Sequence, residues 1–216
     1  MSKETLVLCT GGSLVNLTDE EIEYVNSSNT ICVNRFPVFW KVIGIKPKKY
    51  ILVDDHKIEP LAKAIAEENE ELDIITTYQN MQLFKKYSSN FSYTMVNAAR
   101  NRKNFITEFS ASKSLFWSSV VGSAVNSATI LYPGTDIKIL GMDGDTNKQF
   151  WQGKTTTHKK LDHSSNKPHS SNTCLKWGLP IIRKESEKLG ITVTSCNKES
   201  VWVKRGLINF RPLLDN

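Results

Sequence analysis

The stretch ETLVLCTGGSL, residues 4–14, joins a short apolar run to a Gly-Gly-Ser turn. An apolar run this short, ending in glycines, reads as a buried strand rather than a helix. The pattern then repeats along the chain. NLTDEEIEYVNSS follows, with Thr18 as a helix N-cap and Glu21 three residues on, which makes a capping box. NTICVNRF, KKYILVDD and DIITTY read as the second, third and fourth strands. HKIEPLAKAIAEENEEL has helical spacing with Pro60 near its start, and NMQLFKKYSS reads as a short helix.

Further on, SKSLFWSSVVGSAVNSATILYPG predicts a buried helix stopped at Pro133 and Gly134. TDIKILGMDGD predicts another strand, and TCLKWGLPIIRKESEKLG a helix kinked at Gly178–Pro180. ITVTSC reads as the last strand. Residues 89–113 carry no regular pattern, and no internal repeat is visible. Strands alternating with helices predict an α/β, Rossmann-like single domain over residues 1–216. Its sheet is expected to be mainly parallel, with helices on both faces.

Ligands of such sheets sit beyond the carboxyl ends of the strands. The residues found there are Thr10, Gly11, Gly12 and Ser13, then Asn34 and Arg35, Asp54 and Asp55, and Gly141, Met142 and Asp143. All are small or polar, and all are expected to face one crevice. The glycine turn lets backbone approach a phosphate or sugar, although it is neither GxGxxG nor a P-loop. Asn34 offers an amide donor and acceptor; Asp54 suits sugar hydroxyls or a helix cap. Asp143 and Asp145, one residue apart in GMDGD, suit either a divalent ion or a plain turn.

Residues 146–172 are polar and nearly free of aliphatic side chains. Three of the four histidines, His158, His163 and His169, lie there. No cysteine or carboxylate–histidine pattern supports zinc. A general base must be anchored near the proton that it takes. His169, where the polar segment meets the last helix, is the best placed of the three. His158 and His163 are expected to be solvated.

Composition sets outer bounds. With 216 residues, 39% hydrophobic and 23% charged, the chain can bury a core without staples. No apolar run approaches the ~20 residues of a membrane span, and no secretory leader is expected. Four scattered cysteines without CxxC spacing fit a reducing cytoplasm. The net charge of +6 is spread out, with small clusters at 46–49, 100–103 and 154–160. No nucleic-acid module accompanies it, so a basic surface or a phosphorylated substrate is the better reading.

The pieces, in order, resemble the bacterial sialyltransferases of glycosyltransferase family 42, of the Campylobacter lipooligosaccharide type. That family carries a G-N-G-P-S-L turn, a C-N-Q-F segment, a strand ending S-G-I-D, and H-S-x-N-T. Here the matching pieces are TGGSL, CVNRF, LGMD and HSSNT. The resemblance implies a GT-A-like variant of the Rossmann fold, a CMP-sugar donor, inversion and no metal or cofactor. It implies a glycan or glycolipid acceptor, at most peripheral membrane association, and compatibility with a homo-oligomer. No nucleic-acid partner is expected.

Carried over, His169 becomes the general base for the acceptor hydroxyl. Thr10, Gly11, Gly12 and Ser13 match the nucleotide-side turn, Asn34 the asparagine at the CMP phosphate and ribose, and Asp54 a sugar-binding position. Gly141 and Asp143 match the cytidine and ribose contacts. Residues 146–172 match a mobile lid over the donor. Two family tyrosines at the departing phosphate fall on Asp145 and Trp151, and neither replaces a phenol. Lys154, His158 or Lys159 on the lid is expected to take over stabilisation of the leaving group. Two other readings are a Mg²⁺-dependent pterin pyrophosphokinase-like enzyme using Asp143 and Asp145, and a non-catalytic nucleotide- or glycan-binding module.

Overall fold

The computed structural model describes residues 4–53, 58–144, 149–154, 158, 161 and 170–214, without the side chains of 170–174. An α/β fold is built on one eight-stranded, all-parallel sheet. The strands are β1 (Thr5–Leu8), β2 (Asn29–Val33), β3 (Lys49–Leu52), β4 (Leu72–Thr76), β5 (Phe91–Met95), β6 (Ile137–Leu140), β7 (Val193–Ser195) and β8 (Asn209–Phe210). Their order is β5-β4-β3-β2-β1-β6-β7-β8. The chain walks outward from β1 to β5, then returns to the other side of β1 through β6. The loops after β1 and β6 therefore part in opposite directions, which opens a crevice at that seam.

Right-handed crossovers put the helices of the two walks on opposite faces. The first face holds α1 (Asp19–Ser27), α2 (Phe36–Phe39), α3 (Glu59–Glu68) and α4 (Tyr78–Phe84). The second holds α5 (Val120–Leu131), α6 (Ser170–Glu187) and α7 (Val201–Lys204). Alternation along β1 feeds both: Leu6 and Leu8 enter the first core, Val7 and Cys9 the second. All four β1 residues are buried, as a central parallel strand requires.

The local signals set most boundaries. Thr18 accepts from the Glu21 backbone at 3.2 Å, and the Glu21 carboxylate accepts from the Thr18 N–H at 2.9 Å. Pro60 occupies the first turn of α3, where its missing N–H costs nothing. Three expectations are corrected. Residues 91–95, left without assignment by the sequence, form β5; as an edge strand it mixes Phe91 with polar side chains and shows no clean period. ITVTSC is not last, because β8 adds beyond it. The buried helix starts only at Val120, where Ser119 caps it by accepting from the Val121 N–H at 3.2 Å.

The long helix α6 continues through Gly178 and Pro180 as one element. Gly178 is needed there because a side chain would collide with Ser118, just ahead of α5. Buried Asn126 on α5 pins the preceding loop: its Oδ1 accepts from the Ile106 and Phe116 N–H groups at 3.1 and 3.0 Å. Its Nδ2 donates to the Ile106 carbonyl at 2.9 Å.

At the amino end of the sheet, Lys138 of β6 is 1% exposed. Its ammonium pairs with Glu4 at 2.8 Å and donates to the Leu213 carbonyl at 3.0 Å. Glu4 also meets Arg211 at 3.1 Å and accepts from the Tyr24 hydroxyl at 3.0 Å. Removing the anion leaves a buried cation without its charge partner, so Glu4→Ala is expected to destabilise the fold by about 3 kcal/mol. Lys138→Met, which removes the cation itself, is expected to cost much less; urea unfolding of the two variants measures the ordering.

Candidate active site

The crevice is organised by one carboxylate. Asp143, just past β6, is 9% exposed. Its Oδ2 accepts from the Ser13 N–H at 2.9 Å, and its Oδ1 from the Ser13 hydroxyl at 2.5 Å. Oδ1 also accepts from the Asn197 amide at 2.9 Å. The Gly11 N–H donates to the Gly141 carbonyl at 2.8 Å. The turn after β1 and the end of β6 are thus fastened across the seam. Among the described residues Asp143 pairs with no lysine or arginine. The Cys9 thiol beside it has its pKa pushed well up, first by burial and then by the Asp143 charge.

Close approach explains the glycines. A Cβ on Gly11 would lie 2.5 Å from both the Asp143 carboxylate and the Gly141 carbonyl oxygen. Gly141 has φ 69° and packs on the Cys9 carbonyl and Leu14. Gly12 opens a 3-10 turn over Gly12–Asn16 and is half-buried, as is Ser13.

The register of β1 against β2 brings Leu8 opposite Cys32, so Thr10 and Asn34 both follow the carboxyl ends of neighbouring strands. Thr10 is buried, whereas Asn34 is exposed. Asn34 has φ 57°, the only left-handed non-glycine among the described residues. Asparagine tolerates that region better than other side chains, and such backbone gathers at ligand sites.

The structure thus joins Gly11, Ser13, Gly141 and Asp143 by direct contact, and sets Thr10, Gly12 and Asn34 on the same carboxyl edge of the sheet, the crest. Asp54, Asp145, His163 and His169 lie outside the described residues. Asn197 is a participant that the sequence reading missed. Its neighbours hold Met142 and Asp143 from behind: the Ser200 hydroxyl donates to the Met142 carbonyl at 2.7 Å, and the Val201 N–H to the Asp143 carbonyl at 3.1 Å. The signal was present in NKES, an asparagine turn leading to a serine cap.

Part of the expected lid is fixed to the crest. Gln149 bridges Gly11 in antiparallel sense, and the Phe150 N–H donates to the Thr10 carbonyl at 3.2 Å. Trp151 stacks on Phe39 of α2 with centroids 4.2 Å apart and meets Phe150 edge-on. The indole is 2% exposed, and its Nε1–H has no acceptor among the described residues. Lys154 is exposed. The Leu161 carbonyl accepts from the Arg35 guanidinium at 2.6 Å.

His158 corrects the expectation that it is solvated. Its side chain is 13% exposed, its Nε2 lies 2.8 Å from Glu68 at the end of α3, and its ring meets Phe39 edge-on. Lys41 pairs with the same carboxylate at 2.9 Å. Burial raises the Glu68 pKa, but the hydrogen bonds and charges of Lys41 and His158 outweigh it and hold it below its ordinary value of 4.5.

Two outcomes are expected. Gly11→Ala forces the turn off Asp143 and should destabilise by about 1–3 kcal/mol in chemical unfolding, the cost of leaving buried polar groups unpaired. Glu68 has a depressed folded pKa, so its contribution is present above about pH 4.5 and is lost as pH falls through the folded value. Stability measured from pH 6 to pH 3 should therefore fall less steeply in Glu68→Gln than in the parent chain.

No family model matches the chain, and no curated protein matches it in sequence. Its fold is similar to that of an asparagine-to-alanine variant of the sialyltransferase CST-II in complex with CMP. The TM-score is 0.52 at 14% identity, over 99% of this chain and 88% of that one. Two further structures of that sialyltransferase, one with CMP and one from Campylobacter jejuni with the substrate analogue CMP-3FNeuAc, cover the same shares at 13% and 12% identity with TM-scores of 0.49 and 0.48. The chain therefore shares an α/β architecture with a CMP-bound sialyltransferase.

Proposed function

We propose that the protein is an inverting, metal-independent glycosyltransferase that takes a sugar, sialic acid first among candidates, from a CMP-sugar to a glycan acceptor. The observation that carries this reading is the crest at the β1/β6 seam. There Asp143 holds the turn Gly11–Ser13, with the left-handed Asn34 following the neighbouring strand β2, in a fold similar to that of a CMP-bound transferase. The HSSNT motif supports it too, since Ser170 opens α6 and His169 immediately precedes it.

In the proposed reaction the glycosidic bond to CMP loosens through an oxocarbenium-like state. The acceptor oxygen attacks the opposite face of the anomeric carbon, and His169 takes its proton. The bonding electrons leave with the CMP phosphate. Asn34 and the turn would hold the nucleotide side, and the exposed Lys154 would meet the departing charge.

The pyrophosphokinase-like alternative needs Asp143 as a metal ligand. Both of its oxygens already accept from Ser13 or Asn197, which favours a positioning role. Among the described residues Cys9, Cys32 and Cys196 are free thiols, in keeping with a cytoplasmic setting. No described helix is long and apolar enough to cross a membrane, so a lipooligosaccharide acceptor would be met from the membrane surface.

A melting-temperature screen against CMP, CDP, UDP, GDP and ATP is expected to show selective stabilisation by CMP. His169→Ala is expected to keep that stabilisation and to lose transfer by roughly 10²–10⁴-fold, while EDTA leaves the parent rate unchanged. Equal response to all nucleotides, or a near-normal His169→Ala rate, would sink the proposal.

A further inference from the structure

The loop between β5 and α5 carries two arginines on two tryptophans. The Arg100 guanidinium lies over the Trp117 ring at 4.2 Å. Arg102 lies 5.3 Å from Trp117 and 5.6 Å from Trp177, the latter on α6. Both tryptophans are half-buried, and both arginines are exposed. Neither arginine makes an ion pair or a hydrogen bond among the described residues.

The platform is built rather than incidental. Asn101, between the two arginines, donates to the Asn104 and Ser114 carbonyls at 2.8 and 3.1 Å. Its own carbonyl accepts from the Trp117 N–H at 2.6 Å. Ser118 packs directly on Gly178, so the loop and α6 are held as one unit. Trp177 stands seven residues beyond Ser170, about 10 Å along the helix at ~1.5 Å per residue.

A guanidinium stacked on an indole keeps its in-plane N–H groups free for a planar anion. Two such forks on one indole, with no ion pair among the described residues, offer a site for an anion. The indoles beside them add flat apolar surface of the kind that packs on a sugar ring. Resting on the transferase reading, we infer that Arg100, Arg102, Trp117 and Trp177 form the acceptor subsite for an acidic saccharide, with the arginines holding its carboxylate or phosphate. The subsite lies apart from the nucleotide crest, on the side of α6 against α5.

Tryptophan fluorescence titration tests this, with CMP present, using a galacturonate-terminated oligosaccharide, its galactose-terminated counterpart, and galactose 6-phosphate. The acidic ligands are expected to bind at least 10-fold more tightly than the neutral one, and their ratio tells carboxylate from phosphate. Arg100→Gln/Arg102→Gln should abolish that preference while CMP stabilisation and melting temperature stay unchanged. Arg100→Lys/Arg102→Lys should recover it only in part, because the fork is lost.

No acidic preference, or one that survives in the glutamine variant, overturns the subsite. So does tighter binding of a single-stranded oligonucleotide or of anionic phospholipid vesicles than of the acidic saccharide. If the saccharide binds but CMP does not, the transferase reading fails while the anion site stands. If CMP binds and no acidic saccharide does, the subsite fails alone.

Discussion

The Asp143 carboxylate is the constraint on which the crest depends. It closes the seam between β1 and β6, the place where a doubly wound sheet would otherwise leave two loops diverging. Three donors converge on it, two from Ser13 and one from Asn197, so the bonds join three parts of the chain when Asp143 itself is included. A buried carboxylate is tolerated because each donor replaces a lost water contact. The same bonds determine why glycine must stand at position 11: the carboxylate occupies the space that a side chain would take.

Around that latch, the two faces of the sheet carry different contacts. Phe150, Leu161 and His158 are tied to Thr10, Arg35 and Glu68 respectively, all residues of the first helical face or of the crest itself. The aromatic run Phe36, Phe150, Trp151 and Phe39 fills the space beneath. On the opposite face the Arg–Trp platform rises from the α5–α6 contact. On the proposed transferase reading, an anionic donor would meet Lys154 near the crest and an acidic acceptor the arginines beside α6.

Much of this was legible before any coordinates. Strand–helix alternation reports burial directly, so β1 to β4, β6 and the parallel sheet could be read from residue pattern alone. The Thr18 capping box is a local device and was equally plain. Edge strand β5 and two-residue β8 were not, because their identity comes from pairing with β4 and β7 rather than from side-chain period. The crest turn was found by position after β1. Asn197 was missed because NKES announces only a turn and a cap, whereas its bond to Asp143 is tertiary. His158 was misread for the same reason: nothing in a polar run announces a carboxylate at the end of a distant helix.

The buried Lys138 has a consequence for chain topology. It joins Glu4, just ahead of the first strand, to the carbonyl of Leu213, just past the last, so the two ends of the described chain meet at the base of the sheet. That junction lies at the opposite end of the strands from the crest. A covalent link between the neighbourhoods of Glu4 and Leu213 would leave the site untouched, and a new opening elsewhere would yield a permuted domain with the same crest. The connection at the base of the sheet is, in that sense, free to change, whereas the seam at Asp143 is not.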